Sequence, residues 1–285
     1  MLDKKVTTPW KEIRIDTWRD FEKFTSEECK EYRQWVFRGQ SDSAFGLSSS
    51  LYRLFERLQE IYVAGRGWKK LFNRKGHEGQ LLLKFKSHAH LYFNPAPENV
   101  ANLEWLSLMQ HHGTATRLLD VTFSPYVAAY FALEGTGGGS ESVVYAIQQK
   151  ILMRATDKVR DTNSRSEDFR SSLPNDEQRP YLFFYEPLRQ SERLAAQQGL
   201  FLVPSTLNKT CDEILQDYSI PKGCLNKLLI SKSVKYEGLR RLRLMNISAA
   251  TLFPGLDGFC KSLNLQPLED IKNLGRVGGA TNVQK

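Results

Sequence analysis

Long apolar runs are missing from this sequence. The longest stretches, such as 127–133, fall far short of the roughly 20 residues that a helix needs to cross a bilayer, so no membrane association is expected. No apolar segment follows the charged start MLDKKVTTPWKE, so no secretory leader is expected and the location expected is cytoplasmic. Cysteine is scarce: four residues, at 29, 211, 224 and 260, with no pair at metal-site or redox spacing. That argues against a disulfide framework and for free thiols in a reducing compartment. Histidine is scarce too, with five residues. His88 and His90 stand two apart on an expected helix, where side chains do not share a face, so no metal site is expected. No zinc-finger or RNA-recognition signature, internal repeat or proline-rich linker is found.

What is present is ordinary for a globular chain. Of the 285 residues, 41% are apolar, enough for a sizeable core, and 25% are charged. The net charge of +8 points to polyanionic partners, a nucleotide or a nucleic acid among them. The densest basic stretch, 66–75, carries Lys69, Lys70, Arg74 and Lys75, and a second surrounds Arg240, Arg241 and Arg243. Both are interleaved with apolar residues. A solvated helix face is the more economical reading, and a protein or nucleic-acid partner on this basic surface is the alternative.

Periodicity gives the element plan. Trp18, Phe21 and Phe24 lie at helical spacing after a capping signal at 16–17. Residues 34–39 read as a strand that stops at Gly39. Helices are expected over 48–59, 78–92 and 99–112, the last closed by Gly113. Residues 116–120 are short enough for a strand or an extended loop. Ser124 and Pro125 open a helix that runs to Glu134. Strands are expected at 142–148, 181–185, 199–203 and 225–231. Helices are expected at 188–198, 236–245 and 249–263. Residues 155–179 are polar and read as a long loop, a candidate lid. Strands separated by helices predict an α+β class with a mixed central sheet. A largely helical part over 41–113 packs beside that sheet within a single domain of 1–270, and 271–285 form a polar tail.

Three polar constellations could carry chemistry. In Phe37-Arg38-Gly39-Gln40, an arginine at a strand end presents a planar fork to phosphate or carboxylate, and Gly39 admits close approach to the backbone. An ordinary surface arginine before a turn fits the same spacing. In the run 110–124, polar groups lie between apolar helices, so they must form either a hydrogen-bond network or a site. Arg117 and Asp120 could form a buried structural pair, and His112 could serve as a general base or simply pair with a helix-end carbonyl. In 193–201, Gln197 and Gln198 precede a glycine and a strand. They could meet a ligand or hold backbone groups at a helix end.

The order of these elements resembles the FRG domain family. Trp35-Val36-Phe37-Arg38-Gly39-Gln40 resembles the element that names it. Glu78 with Leu81, Leu82 and Phe85 resembles its acidic helix. The run 110–131 resembles its longest signature, 193–201 its RxxAQQGxF element, and 252–258 its closing LFPxLxG. His112 stands where an aromatic residue is usual, Ala115 where proline is usual, and Val121 where tryptophan is usual. More distantly, the chain is similar to arginine-type ADP-ribosyltransferases. Phe37-Arg38-Gly39 resembles their first strand. Thr122 and Ser124, followed by Ala128 and Phe131, resemble their second. Gln197-Gln198-Gly199 holds the place of their glutamate loop.

The second resemblance implies an ADP-ribosyltransferase-like sheet and NAD as a substrate. In that reading Arg38, Gly39, Gln40, Arg117, Thr122, Ser124, Phe131 and Gln197 bind the dinucleotide. Asp120, Gln198 and His112 are the catalytic candidates. Neutral Gln198 stands where a carboxylate would stabilise an oxocarbenium-like state, so Asp120, Glu78 or Glu134 must serve, or the pocket binds without turnover. The alternatives are a non-catalytic nucleotide- or protein-binding module in a stress or phage-defence system, and an effector that acts on nucleic acid.

Overall fold

The computed structural model describes residues 8–66, 73–93, 100–135, 141–160 and 173–264. The strands are β1 (Lys11–Ile15), β2 (Trp35–Gln40), β3 (Leu119–Thr122), β4 (Ser142–Gln148), β5 (Leu182–Tyr185), β6 (Gly199–Pro204) and β7 (Leu225–Ile230). They form one seven-stranded sheet in the order β1-β7-β4-β2-β3-β6-β5. Only the β1–β7 pair is parallel; the other five are antiparallel. The class is α+β with a mixed sheet, as the strand–helix alternation predicts.

Two groups of helices cover one face. The first holds α1 (Trp18–Glu28), α5 (Pro125–Glu134), α9 (Val234–Leu244) and α10 (Ala249–Leu252). Thr17 and Asp20 form a reciprocal capping box at α1, and Ser124 Oγ accepts from the Val127 amide to start α5. The sequence of α5 is almost wholly apolar because the helix is buried nearly all round. It lies so close to β2 that a Cβ placed on Gly39 would sit 1.8 Å from the Ala128 carbonyl oxygen. The close approach that Gly39 permits is therefore made by a helix.

The second group on that face is α3 (Arg74–Ala89) and α4 (Asn102–His111). Leu82, Leu106 and Met109 pack there against Phe183, Phe201 and Val203 of β5 and β6. The helix α2 (Ser50–Arg66) joins them through Leu51 and Phe55, which meet Leu207. These three helices form the helical part expected over 41–113. On the opposite face, Val36, Val143, Tyr145, Leu200 and Leu202 pack against Leu152 of α6 (Gln149–Val159) and against Ile214 and Leu215 of α8 (Cys211–Gln216).

The structure departs from the sequence reading in several places. Residues 155–159 belong to α6 and so begin no loop; residues 161–172 of the expected lid lie outside the described residues, as does the tail 271–285. The helix expected over 249–263 is two helices, α10 and α11 (Leu256–Leu263), because Pro254 and left-handed Gly255 (φ 109°) interrupt it. The helix expected at 188–198 shortens to α7 (Glu192–Ala196). The buried Arg117–Asp120 pair is not formed. Arg117 is fully buried on Glu78, donating from Nε to Oε1 at 2.7 Å and from Nη2 to Oε2, and Nη1 reaches the Pro174 and Pro204 carbonyls at 2.6 and 3.2 Å. Asp120 is exposed. The acid partner comes from α3, 39 residues upstream in sequence, and local spacing carries no signal of it.

Candidate functional site

The site begins with a split in the sheet. β2 and β3 share a single register pair, Phe37 with Thr122. Beyond it the two backbones part at the level of Asp120. Arg38 fills the gap: its Nη1 donates to the Asp120 carbonyl at 2.6 Å. Cross-strand partners lie on one face, so Phe37, Thr122 and Gly199 align, as do Asp120 and Phe201. Asp120 and Thr122 thus rise from β3 between the two groups of helices, with α5 on one side and α4 on the other.

Two adjoining cavities of about 300 and 450 Å³ occupy this furrow. They share Arg38, Arg53, Asp120, Arg193, Leu194 and Gln197. The smaller is polar, with Ser48, Ser49, Ser50, Ser107, Gln110 and His111 on its wall. The larger carries Phe37, Phe45 and Phe131 together with Gln40 and Thr122. A polar chamber and an aromatic chamber therefore meet at a waist of three guanidiniums and one carboxylate. Among the described residues, Asp120 is the only carboxylate on either wall.

Each group at the waist is held by its own element. Gln40 is buried; its amide donates to the Phe45 carbonyl at 2.7 Å and accepts from Arg38 Nε at 3.2 Å. Arg38 is thus gripped at both Nε and Nη1. Arg53 sits in the first turn of α2 and donates to the Ser48 carbonyl at 2.5 Å. Ser50 Oγ pins the start of α2 to the backbone amide of Thr116 at 3.1 Å. Burial, and then the charges of Arg38 and Arg57, pull the Arg53 pKa down. The waist is a place where positive charge is crowded and an anion would relieve it.

Arg193 of α7 stacks on the Phe253 ring, with its guanidinium carbon 4.6 Å from the ring centre. Gln197 ends α7 and donates to the Leu252 carbonyl at 2.9 Å. Asp120 Oδ1 accepts from Gln110 Nε2 at 2.8 Å, and Gln110 Oε1 accepts in turn from the Thr116 hydroxyl. His111 adjoins this network. Its pKa is lowered by burial first, then by the charges of His112 and Arg193.

The residues singled out from sequence divide accordingly. Arg38, Gly39, Gln40, Asp120, Thr122, Phe131 and Gln197 line the cavities. Thr122 already has work to do there: its hydroxyl donates to the Gln197 carbonyl at 2.7 Å and accepts from the Ser124 amide at 3.0 Å. Ser124 caps α5 and lies off both walls. Arg117, Glu78 and Glu134 also lie off them, Glu134 being paired with Lys261. Gln198 occupies a left-handed turn (φ 47°), is exposed, and lines neither cavity; its carbonyl accepts from the Phe123 amide. His112 faces Phe93 with ring centres 5.8 Å apart, and the imidazole on the cleft wall is that of His111. Arg53, Gln110, His111 and Arg193 were not singled out. Gln110, His111 and Arg193 did stand in motifs. Arg53, on an amphipathic helix, gave no signal of its own.

Residues 33–138 match the family model of the FRG domain. The chain contains an FRG domain. No curated protein and no solved structure matches the chain. The FRG match runs from just before β2 to just after α5, so it holds Arg38, Arg53, Gln110, His111, Asp120 and Thr122. Arg193 and Gln197 reach the same waist from beyond the matched segment. Among the described residues no cluster of histidine, cysteine or acidic side chains could hold a metal ion, and no helix is long and apolar enough to cross a membrane. Of the basic stretch 66–75, residues 67–72 lie outside the described residues. Arg74 is bound to Glu56 and to the Leu207 carbonyl, and it stacks on Tyr52.

Proposed function

We propose that the cleft of this FRG domain binds a dinucleotide of the NAD class. The observation that carries this reading is the waist, where Arg38, Arg53 and Arg193 line both cavities and, among the described residues, one carboxylate opposes them. A diphosphate is the ligand group that best matches several fork-shaped donors in a small volume. The chambers on either side suit its two ends. The aromatic one, with Phe37, Phe45 and Phe131, takes a flat ring, and the serine-rich one takes a ribose with its hydroxyls. The resemblance of Phe37-Arg38-Gly39 and of Thr122-x-Ser124 to arginine-type ADP-ribosyltransferases supports the same class of ligand.

The chemistry this reading assigns is cleavage of the nicotinamide–ribose bond. The bond breaks with its electron pair leaving on nicotinamide, and water or another nucleophile adds to the ribose carbon and releases its proton. Positive charge builds on the ribose in between, and Asp120 is the wall residue that can offset it. Gln110, bound to Asp120 Oδ1, sets the orientation of that carboxylate.

A second reading is a binding module that holds the nucleotide without turnover. It is favoured by the exposed position of Gln198 and by the Thr122 hydroxyl being engaged with the backbone. One experiment separates the two: incubation of the full chain with NAD and mass analysis of products, beside Arg38→Ala and Asp120→Asn. Nicotinamide release by the wild type, abolished in both folded variants, supports the enzyme. Saturable binding without product, lost in Arg38→Ala, supports the module. The absence of both binding and product would refute the proposal.

A further inference from the structure

A third cavity, of about 610 Å³, lies away from the cleft between α9 and the α10–α11 pair. Its size falls within the range of small-molecule sites. Its wall has two chemistries. Lys232, Lys235, Arg240 and Arg243 supply positive charge from α9 and the turn before it, and among the described residues no aspartate or glutamate lines the cavity. Leu239, Ile247, Phe259 and Leu263 supply an apolar surface on the same wall. Leu263 and Phe259 are 40% and 52% exposed, unusual for large apolar side chains at a cavity mouth.

The cavity also reaches the core. Tyr130 of α5 lines it, is 2% exposed, and has a hydroxyl that makes no hydrogen bond of ordinary geometry, although the Glu134 carboxylate is close by. Burial raises the pKa of that phenol, so it stays protonated as a neutral donor. The cleft does not need this side of the protein, since its lining shares no residue with that of the third cavity.

We propose that this cavity is a second ligand site, which takes a small amphipathic anion with a phosphate or carboxylate head and an apolar body. The head lies against the α9 cations, and the body lies along Leu239, Ile247 and Phe259. A charged head without the apolar body forgoes the burial of that wall, and a neutral body without the head forgoes the cations.

The test is calorimetry on the full chain with dodecyl phosphate below its micelle concentration. Inorganic phosphate and dodecanol serve as controls, and wild type is compared with Arg240→Glu/Arg243→Glu and with Phe259→Ala. All three substituted side chains are exposed, and circular dichroism of each variant checks that the fold is kept. One saturable site is expected, weakened at least tenfold by the double charge reversal and several-fold by Phe259→Ala, and unaffected by Arg38→Ala. Equal affinity for inorganic phosphate or dodecanol would overturn the proposal, as would binding that survives the charge reversal or is lost with Arg38→Ala. Sedimentation with phosphatidylglycerol vesicles, with no binding of the free probe, would assign the surface to a membrane instead and would also overturn it.

Discussion

Arg117 and Arg38 stand in the same polar run of motifs, yet the chain uses them in opposite ways. Arg117 is 1% exposed and fully engaged by Glu78 and two carbonyls. Removing one partner of a buried ion pair strands the other charge in the core, which costs about 3–5 kcal/mol. Arg117→Met and Glu78→Gln should each lower the unfolding free energy by about that amount in urea titrations, and losses below about 1 kcal/mol would contradict this role. His111 gives a prediction in pH. Its folded pKa is depressed from the usual 6.5, so the stability tied to its neutral form is present above 6.5 and is lost as pH falls through the depressed value. A bound anion favours the imidazolium and raises that value. Nucleotide affinity should therefore strengthen as pH falls below 6.5 and then level off, and His111→Gln should flatten the profile. Arg38, Asp120, Gln40 and Gln197 were legible in sequence because each sits in a motif with a strand or helix end beside it. Arg117 was misassigned, because nothing local distinguishes an arginine bound to a distant glutamate from one aimed at a ligand.

At the scale of elements, strongly patterned segments were legible. α1, β2, α5, β4 and β6 stand where capping signals, β-branched runs and terminal glycines put them. The elements that escaped were β1, α6 and α8. β1 is five residues with an alternating charged face, and it is held as an edge strand by parallel pairing with β7, a partner more than two hundred residues away. α6 follows β4 without a turn, so its start carries no punctuation. The break between α10 and α11 has a consequence for the site. It places Phe253 beneath Arg193 and beside Phe131, 4.6 and 5.9 Å away. A stacked arginine gains about 0.5–2 kcal/mol in position and solvation. Phe253→Ala should weaken nucleotide binding roughly two- to thirtyfold in protein that remains folded. Unaltered affinity in calorimetry would show that Arg193 needs no ring to hold it.

Across the whole molecule, one sheet carries the cleft because its middle strands separate. The two helix groups on one face stand apart above β3, and arginines from three elements, β2, α2 and α7, converge on the opening. The net charge of +8 adds a broad attraction for anions that weakens with salt, whereas in the proposed reading the contacts at the waist are local and set the specificity. The FRG match covers two of those three elements, and α7 completes the waist from outside it. The most direct measurement is therefore calorimetric titration of NAD into the full chain and into Arg38→Ala, Arg53→Ala and Arg193→Ala at physiological ionic strength. The account predicts one saturable site, weakened about tenfold or more by each substitution, as expected for a lost charge-assisted contact of about 1.5–3 kcal/mol. Binding that all three folded variants retain unchanged would contradict it.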